Sequence, residues 1–337
     1  MTHTAMVVTT INAPTRPMLD LASRSEDWPL IVVGDAKTPN DWNADGARFF
    51  PIQDQLESRY ELAGLLPQNH YCRKNLGYLE AMSRGATVIA ETDDDNYPGG
   101  WPHKAPDVFV EAPLLSVNGW ANVYHYFTEA VIWPRGLPLT EIRKSLPAWD
   151  ELSVARKPVA VHQYLAAGDP DVDAIYRLTI GRDDHSFIDR SLIVDYGTVV
   201  PFNSQSTIWL QEAFPLLYLP SFVSFRMTDI WRSFVAQICL WAAGLHVAYH
   251  GQGVYQERNA HDLHRDFLQE VVGYERNQEI LDVLRALELT SGVVAMGDNL
   301  RKCYRALRSI GIVDDDELQL VEAWLRDVAT LRNRGDQ

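Results

Sequence analysis

Hydrophobic and polar residues alternate in blocks along the first hundred positions of the chain. Residues 5–11 (AMVVTTI) are a continuous apolar and β-branched run, which is typical of a strand covered on both faces. Residues 29–35 (PLIVVGD) repeat this pattern, and residues 87–91 (TVIAE) form a third strand. Helices are predicted between them, over residues 17–25 and 71–84. This alternation predicts an α/β fold with a mostly parallel sheet flanked by helices.

The pattern changes in the rest of the chain. Residues 101–195 are rich in proline, glycine and aromatic residues, with strand-like pieces joined by turns. Residues 224–245 predict a loop followed by a long buried helix, and a strand with a glycine-hinged loop comes next. Residues 262–331 show helical periodicity. We therefore expect an α/β region over residues 1–260 and a helical region over residues 261–337.

Composition narrows the class of protein. The net charge of -15 argues against general binding to nucleic acid or to anionic membranes, since phosphate contacts need lysine and arginine. The three cysteines lie far apart, so neither a disulfide framework nor a zinc site is expected. The first residues lack the features of a signal peptide, and Gln237 and His246 interrupt the most apolar stretch. These features predict a cytoplasmic protein without a transmembrane segment.

Three consecutive aspartates, Asp93, Asp94 and Asp95, directly follow the third predicted strand. Ligands of α/β sheets gather beyond the carboxyl ends of the strands, where Asp35 also falls. Carboxylates in a row suit a hard cation such as Mn²⁺ or Mg²⁺, and alternate residues Asp93 and Asp95 can face the same ion. The alternative is a solvated acidic turn.

Other polar residues stand near the predicted cleft. Arg73 and Lys74 begin a helix, where a diphosphate can bind, although they also fit ordinary helix-surface charge. Asp229 begins the long buried helix as either an N-cap or a general base for an acceptor hydroxyl. His250 ends a strand beside two glycines, as a third metal ligand, a phosphate contact or a structural histidine.

Two common types of site are disfavoured. The loop after the first strand (TINAPTRP) contains no glycine, so the glycine-rich phosphate cradle of dinucleotide and P-loop sites is missing. No G-x-S-x-G elbow is present, which argues against a serine hydrolase of that type.

The order of these elements resembles the GT-A class of nucleotide-sugar glycosyltransferases. More narrowly, the blocks VVTTINAPT, IVVGDAKTP, NHYCRKNLGYLEAMSRGATVIAETDDDNYP, GDPDVDAIYRLT and FRMTDIWRSFVAQ resemble the STELLO family. They are more distantly similar to the reversibly glycosylated polypeptides, which are UDP-arabinopyranose mutases. This resemblance spans residues 5–256 and leaves the C-terminal helices without a counterpart.

The resemblance implies roles for individual residues. The predicted nucleotide-binding residues are Thr10, Asn12, Asp35, Arg73, Lys74, Asp93 and Asp94, and the predicted metal ligands are Asp93, Asp95 and His250. Asp229 lies on the acceptor side by this comparison. Arg135, in WPRGLPL, stands where the mutases carry their glycosylated arginine, although the flanking residues differ.

Three functions follow from the resemblance. The first is a metal-dependent glycosyltransferase that uses a nucleotide-diphosphate sugar, preferably a UDP-sugar, with Mn²⁺ or Mg²⁺ and a glycan or small-molecule acceptor. The second is a UDP-sugar pyranose–furanose mutase. The third is a non-catalytic partner that organises other glycosyltransferases. A homodimer is a further expectation, although the apolar stripes of the C-terminal helices favour packing within one chain.

Overall fold

The computed structural model describes residues 3–181, 184–257 and 262–335. The strands within these ranges are β1 (Thr4–Thr9), β2 (Leu30–Val33), β3 (Ala47–Phe50), β4 (Val88–Thr92), β5 (Asn96–Tyr97), β6 (Phe109–Leu115), β7 (Gly119–Trp120), β8 (Val154–Gly168), β9 (Ser191–Val194), β10 (Thr198–Val199), β11 (Ser206–Leu210) and β12 (His246–Gln256). The α-helices are α1 (Arg16–Ala22), α2 (Ile52–Leu56), α3 (Lys74–Ser83), α4 (Ala174–Thr179), α5 (Thr228–Ala243), α6 (Leu263–Arg285), α7 (Met296–Ser309) and α8 (Asp315–Gly335).

A ten-stranded sheet forms the centre of the fold, in the order β3-β2-β1-β4-β11-β8-β6-β9-β12-β5, with an additional pairing of β8 and β12. Its first four strands are parallel, as the alternating pattern predicts. Beyond them the sheet is mixed, because β11 runs antiparallel to both β4 and β8. The predicted α/β fold with flanking helices is confirmed, and strands β3, β2, β1 and β4 form its continuous parallel part, while β8–β12 and β6–β9 are further parallel pairs.

Helix α3 packs unusually close to the parallel strands. A Cβ atom at Gly77 would lie 2.4 Å from Val7 Cγ1 on β1 and 2.6 Å from Val33 Cγ2 on β2, so only glycine fits between them. A 3-10 helix (Tyr71–Arg73) leads directly into α3. This close packing brings the start of α3 to the carboxyl ends of β1, β2 and β4.

Helix α5 is tied to β4 through buried charges. Arg232 on α5 forms a bidentate ion pair with Glu91 on β4, and Trp209 Nε1 also donates to Glu91 at 2.7 Å. An α-helix with its apolar residues on every side is expected to be buried, and nearly all of α5 is. The start of α5 therefore lies beside the end of β4.

The C-terminal helices share the main hydrophobic core with the sheet. Leu79 of α3 and Trp324 of α8 belong to the same buried cluster, and Trp324 Nε1 donates to the Pro215 carbonyl at 2.9 Å. The Asp327 carboxylate accepts the backbone N–H groups of Glu61 and Leu62, each at 3.0 Å. Helix α8 therefore packs within the chain. The predicted boundary between residues 260 and 261 lies outside the described residues, and the division into two regions stays a prediction.

Candidate functional site

A cleft of about 420 Å³ opens at the carboxyl ends of β1, β2 and β4. This volume suits a small-molecule ligand. Nine residues singled out in the sequence line it, namely Thr10, Asn12, Asp35, Arg73, Asp93, Asp94, Asp95, Arg135 and Asp229. The structure thus brings together residues that are more than two hundred positions apart. Lys74 and His250 are not among the lining residues.

The three consecutive aspartates point in different directions. Asp94 Oδ2 accepts hydrogen bonds from Thr10 Oγ1 at 2.5 Å and from Asn12 Nδ2 at 3.1 Å. Asp93 Oδ1 faces Lys74 Nζ at 3.1 Å, and the Gln256 amide lies 3.3 Å from Asp95 Oδ2. Crowding of like charges is relieved because each carboxylate has a separate set of neighbours.

Lys74 lies behind the acidic turn. Its ammonium group is fully buried and donates to Asp93 Oδ1 and to the Ser204 carbonyl at 3.2 Å. The Lys74 side chain therefore has no surface open to a nucleotide in this structure, although direct contact was predicted for it. Lys74 instead supports Asp93 from beneath.

Asp93 is electrostatically linked to Asp229 across the cleft. The Asp93 side chain keeps 39% of its surface exposed, yet the loss of solvation at the floor of the cleft raises its pKa. The neighbouring Lys74 opposes this rise, while the charges of Asp229 and Asp94 add to it. A cation beside Asp93 would offset that repulsion.

Asp35 is held by backbone groups. Its carboxylate accepts the N–H groups of Ala36 at 2.7 Å, Asn69 at 2.8 Å and His70 at 3.0 Å. Asn69 adopts a φ of 54°, a conformation that is uncommon outside glycine. Asp35 thus fixes the turn that leads into α3, in addition to lining the cleft.

Arg73 lines the same end of the cleft and is almost fully buried. Its Nε donates to Gln55 Oε1 at 2.7 Å, and its Nη1 donates to the Leu66 carbonyl at 3.1 Å. Its Nη2 has no hydrogen-bond partner within the described part of the chain. Burial lowers the pKa of Arg73, and the charge of Asp35 opposes that shift.

Arg135 joins two carboxylates on the other side of the cleft. Its Nε and Nη2 donate to the two oxygens of Asp171, each at 2.8 Å. Its Nη1 and Nη2 also donate to Asp229, at 3.1 and 3.2 Å, and Nη1 donates to the Arg226 carbonyl. Asn203 Nδ2 adds a hydrogen bond to Asp171 at 3.0 Å. All of the guanidinium nitrogens are therefore engaged as donors, which suits a positioning role.

Asp229 stands in the first turn of α5, as the sequence indicates, but it is not the N-cap, which is Met227. Its Oδ2 accepts the Ser204 N–H at 3.2 Å in addition to the two hydrogen bonds from Arg135. The helix N-terminus and Arg135 both place positive charge beside this carboxylate.

His250 lies in a separate, partly buried cluster. Its Nε2 is 3.0 Å from His162 Nδ1, its Nδ1 is 2.8 Å from Ser191 Oγ, and its ring stacks on Tyr164. Burial lowers the pKa of His250 to about 4. Both ring nitrogens are thus engaged away from the acidic turn. These contacts suit a structural histidine, and the metal or phosphate role of His250 stays a prediction.

The predicted metal ligands do not form a complete protein cage. Within the described ranges, no three His, Cys, Asp or Glu side chains are grouped closely enough to hold an ion. Asp93 and Asp95 nevertheless both line the cleft with carboxylate oxygens, which are the donors that Mg²⁺ and Mn²⁺ prefer.

Sequence reasoning missed two groups of cleft residues. The first is Asp171, in the acidic segment GDPDVD, whose aspartates gave no sign of which one faces the cleft. The second is an aromatic group of His70, Tyr71 and Phe225, brought together from the loops before α3 and α5. An aromatic residue in a polar loop, such as Phe225 in SFRMT, is the signal that could have pointed to it.

Comparisons with known proteins agree with the resemblance seen in the sequence. The family model described as STELLO glycosyltransferases matches residues 226–334. The C-terminal helices, which the sequence motifs left without a counterpart, thus do have one in this family. Among the described residues, no helix combines the length and apolarity needed to cross a bilayer.

Two similar proteins come from Arabidopsis thaliana. "Probable glycosyltransferase STELLO2" is 30% identical over 273 residues, which cover 74% of this chain and 35% of that protein. "Probable glycosyltransferase STELLO1" is 29% identical over 265 residues, which cover 72% of this chain and 34% of that protein. The chain thus spans about a third of the length of the relatives it matches.

Proposed function

We propose that this chain, which is similar to the STELLO glycosyltransferases, transfers a sugar from a nucleotide-diphosphate donor, preferably a UDP-sugar, to a glycan or small-molecule acceptor. The relationship supports a glycosyltransferase. Residues of the cleft support the donor, the metal and the acceptor side.

One observation carries the proposal. The cleft at the carboxyl ends of the parallel strands is lined by Asp35, the acidic turn 93–95 and Asp229. In open α/β sheets this edge is where ligands bind. A nucleotide-diphosphate sugar offers one part to each of these groups: base and ribose, diphosphate, and reacting sugar.

We assign the divalent ion to Asp93 and Asp95. Mg²⁺ is commonly held by one or two carboxylates, with phosphate oxygens and waters completing its ligands, so two aspartates without a full cage fit this use. Loss of solvation raises the pKa of Asp93, and the charges of Asp229 and Asp94 add to that rise, so a cation beside Asp93 would relieve the repulsion that Lys74 offsets in part. When bound, Mn²⁺ or Mg²⁺ stabilises the negative charge that grows on the leaving diphosphate.

The acceptor side is assigned to Asp229. Its carboxylate accepts the proton of the attacking hydroxyl, while Arg135 and the Ser204 N–H hold it in place. Asp171 balances the charge of Arg135, so the three side chains form a fixed unit. A base held in one position keeps the reacting groups in the reactive geometry. Such positioning supplies a large part of enzymatic rate acceleration.

The mutase alternative gains no support from Arg135. A glycosylated arginine needs a side-chain nitrogen that is open to the sugar. Arg135 is buried, and its nitrogens already donate to Asp171, Asp229 and the Arg226 carbonyl. We therefore favour transfer to an acceptor.

Thermal unfolding with UDP or GDP, with and without Mn²⁺, tests the proposal. Ligands that bind the folded protein raise its apparent stability, by about 2.7 kcal/mol at a hundredfold excess over Kd. We expect a Mn²⁺-dependent rise with one of the two nucleotides, and its loss in the double variant Asp93→Asn plus Asp95→Asn.

The chain provides a matched control for that variant. A second triple aspartate, Asp314 to Asp316, stands at the start of α8, where the helix N-terminus accommodates acidic residues. The double variant Asp315→Asn plus Asp316→Asn removes the same charge outside the cleft and should keep the full response. An equal loss in both double variants contradicts the assignment of the acidic turn.

Product analysis separates the three functions. The protein is incubated with UDP-glucose, UDP-galactose or UDP-arabinopyranose and Mn²⁺, without an acceptor. Slow release of UDP supports the transferase, and an isomeric nucleotide sugar shows a mutase instead. Failure of both UDP and GDP to bind supports the non-catalytic partner and overturns the proposal.

A further inference from the structure

An aromatic surface lines the cleft beside Asp35. His70 and Tyr71 stack with ring centroids 5.9 Å apart, and Phe225 meets both edge-on, at 5.4 and 5.1 Å. We call His70, Tyr71 and Phe225 the aromatic wall. All three residues line the cleft, and Phe225 is 47% exposed.

The aromatic wall is built on the turn that Asp35 holds. The Asp35 carboxylate accepts the N–H groups of Asn69 and His70. The His70 ring is fixed in turn, since its Nδ1 accepts the Cys72 N–H at 3.1 Å. The orientation of the wall is thus set before any ligand arrives, which reduces the entropy lost on binding.

The exposed apolar residues of the cleft differ from single apolar residues scattered over a protein surface. Phe225 and Ile11, which is 50% exposed, both line a cleft that also contains six aspartates. Single exposed apolar residues on a convex surface need no explanation, but apolar surface inside a concave polar site favours a ligand with an apolar face. A nucleobase has such a face, since its hydrogen-bonding groups lie on its edge.

The wall also lies within electrostatic range of the acidic turn. Loss of solvation raises the pKa of the partly buried Tyr71 hydroxyl, and the charges of Asp229 and Asp93 raise it further. Tyr71 therefore lies close to both carboxylates, while His70 lies at the Asp35 end. A base on the wall leaves the diphosphate of the same nucleotide beside residues 93–95.

We infer that the aromatic wall, and Phe225 above all, is the stacking surface for the nucleobase of the donor, and that Asp35 acts by positioning this wall. The inference rests on the proposed function and deepens it. It gives Asp35 a different role from the direct contact with base or ribose that the family resemblance implies.

Calorimetric titration of the whole chain with UDP, GDP and inorganic pyrophosphate, each with Mn²⁺, tests the stacking role. In Phe225→Ala, the nucleotide that binds the unmodified protein should bind about 5- to 100-fold more weakly, since stacking of a base on an aromatic ring is worth that much. Affinity for pyrophosphate should stay within about twofold, because it has no base to stack.

Two further variants check that the ring itself matters. Phe225→Tyr keeps the aromatic face and should retain most of the affinity, whereas Phe225→Leu should not. Phe109→Ala is the matched control, because Phe109 is also half-exposed, at 50%, and does not line the cleft. Since Phe225 is exposed, its replacement should leave thermal stability nearly unchanged.

The role of Asp35 is tested by a double-mutant cycle. Asp35→Asn should weaken nucleotide binding in the unmodified protein and have much less effect in Phe225→Ala, because both act through one surface. Additive effects on nucleotide affinity would show that Asp35 contacts the nucleotide independently, and would overturn the positioning role.

The outcomes separate the inference from the proposed function. If a nucleotide binds and Phe225→Ala leaves its affinity unchanged, the stacking inference fails while the glycosyltransferase proposal stands. Equal weakening of nucleotide and pyrophosphate also overturns it, because the residue then only shapes the cleft. If neither UDP nor GDP binds the unmodified protein, the proposed function fails and the inference fails with it.

Discussion

Arg232 on α5 and Glu91 on β4 form a fully buried ion pair, with Nη2 2.6 Å from Oε1 and Nη1 3.0 Å from Oε2. Glu91 stands two residues before the acidic turn, and Arg232 stands three residues after Asp229. The pair therefore fixes the helix that carries Asp229 against the strand that carries residues 93–95. The pair thereby holds the two sides of the cleft opposite each other.

Loss of Arg232 should destabilise the fold strongly. Arg232→Met leaves the Glu91 charge buried without its partner, and breaking a buried pair in this way costs about 3–5 kcal/mol. Denaturant unfolding measures the change. Arg308→Met, which removes an exposed partner of Asp315, is the control and should have little effect. If both variants have the same free energy of unfolding, the Arg232–Glu91 pair contributes no more stability than the exposed pair.

Gly77→Ala should also destabilise the protein, by about 1–3 kcal/mol. The added methyl group meets Val7 and Val33 at distances that force α3 away from the sheet. Gly64→Ala is the matched control, since a Cβ atom there has no heavy atom within 4 Å. Thermal unfolding compares the two variants. A neutral Gly77→Ala would mean that α3 can shift without cost.

The buried histidine pair should make stability depend on pH. Burial lowers the pKa of His250 to about 4 and that of His162 well below its ordinary value, with the neighbouring His250 adding to the effect. Both are therefore neutral in the folded protein, while the unfolded chain takes up protons below about pH 6.5. The free energy of unfolding should fall from pH 6.5 towards pH 4, by about 3 kcal/mol for His250.

Urea unfolding between pH 7 and pH 4 measures this dependence. His250→Gln should flatten the curve because the substituted side chain takes up no proton in either state. His264→Gln, at an exposed position on α6, should leave the slope unchanged. A slope that is the same in all three proteins would contradict the buried, neutral state of His250.

Arg135→Lys should reduce sugar transfer more than nucleotide binding. A lysine ammonium cannot bridge Asp171 and Asp229 with parallel hydrogen bonds as the guanidinium does. Displacement of the proposed base by about 1 Å costs roughly a hundredfold in turnover. Initial rates of transfer and the calorimetric Kd of UDP give the two readouts.

Intact-mass spectrometry tests whether Arg135 becomes glycosylated. After incubation of the unmodified protein with a UDP-sugar, we expect no glycosylated form, because the Arg135 nitrogens are already engaged. A stable mass increase of one sugar that disappears in Arg135→Lys would favour the mutase and contradict the positioning role.

Much of the N-terminal half follows from the sequence. Continuous apolar runs specify the buried strands β1, β2 and β4, because only a strand covered on both faces needs no alternation. Parallel strands end at one edge, so the side chains that follow them meet there, as Asp35 and residues 93–95 do. These inferences need only local pattern and the rule for parallel connections.

The tertiary structure decided which distant residues share the cleft. Arg135 meets Asp171 and Asp229 across 36 and 94 positions of sequence, and His250 pairs with His162 across 88. Local periodicity carries no information on such pairings, because they depend on how the mixed half of the sheet and the loops before α3 and α5 pack. For the same reason Lys74 lies beneath the acidic turn and Phe225 lies beside His70, although neither position is visible in the order of residues along the chain.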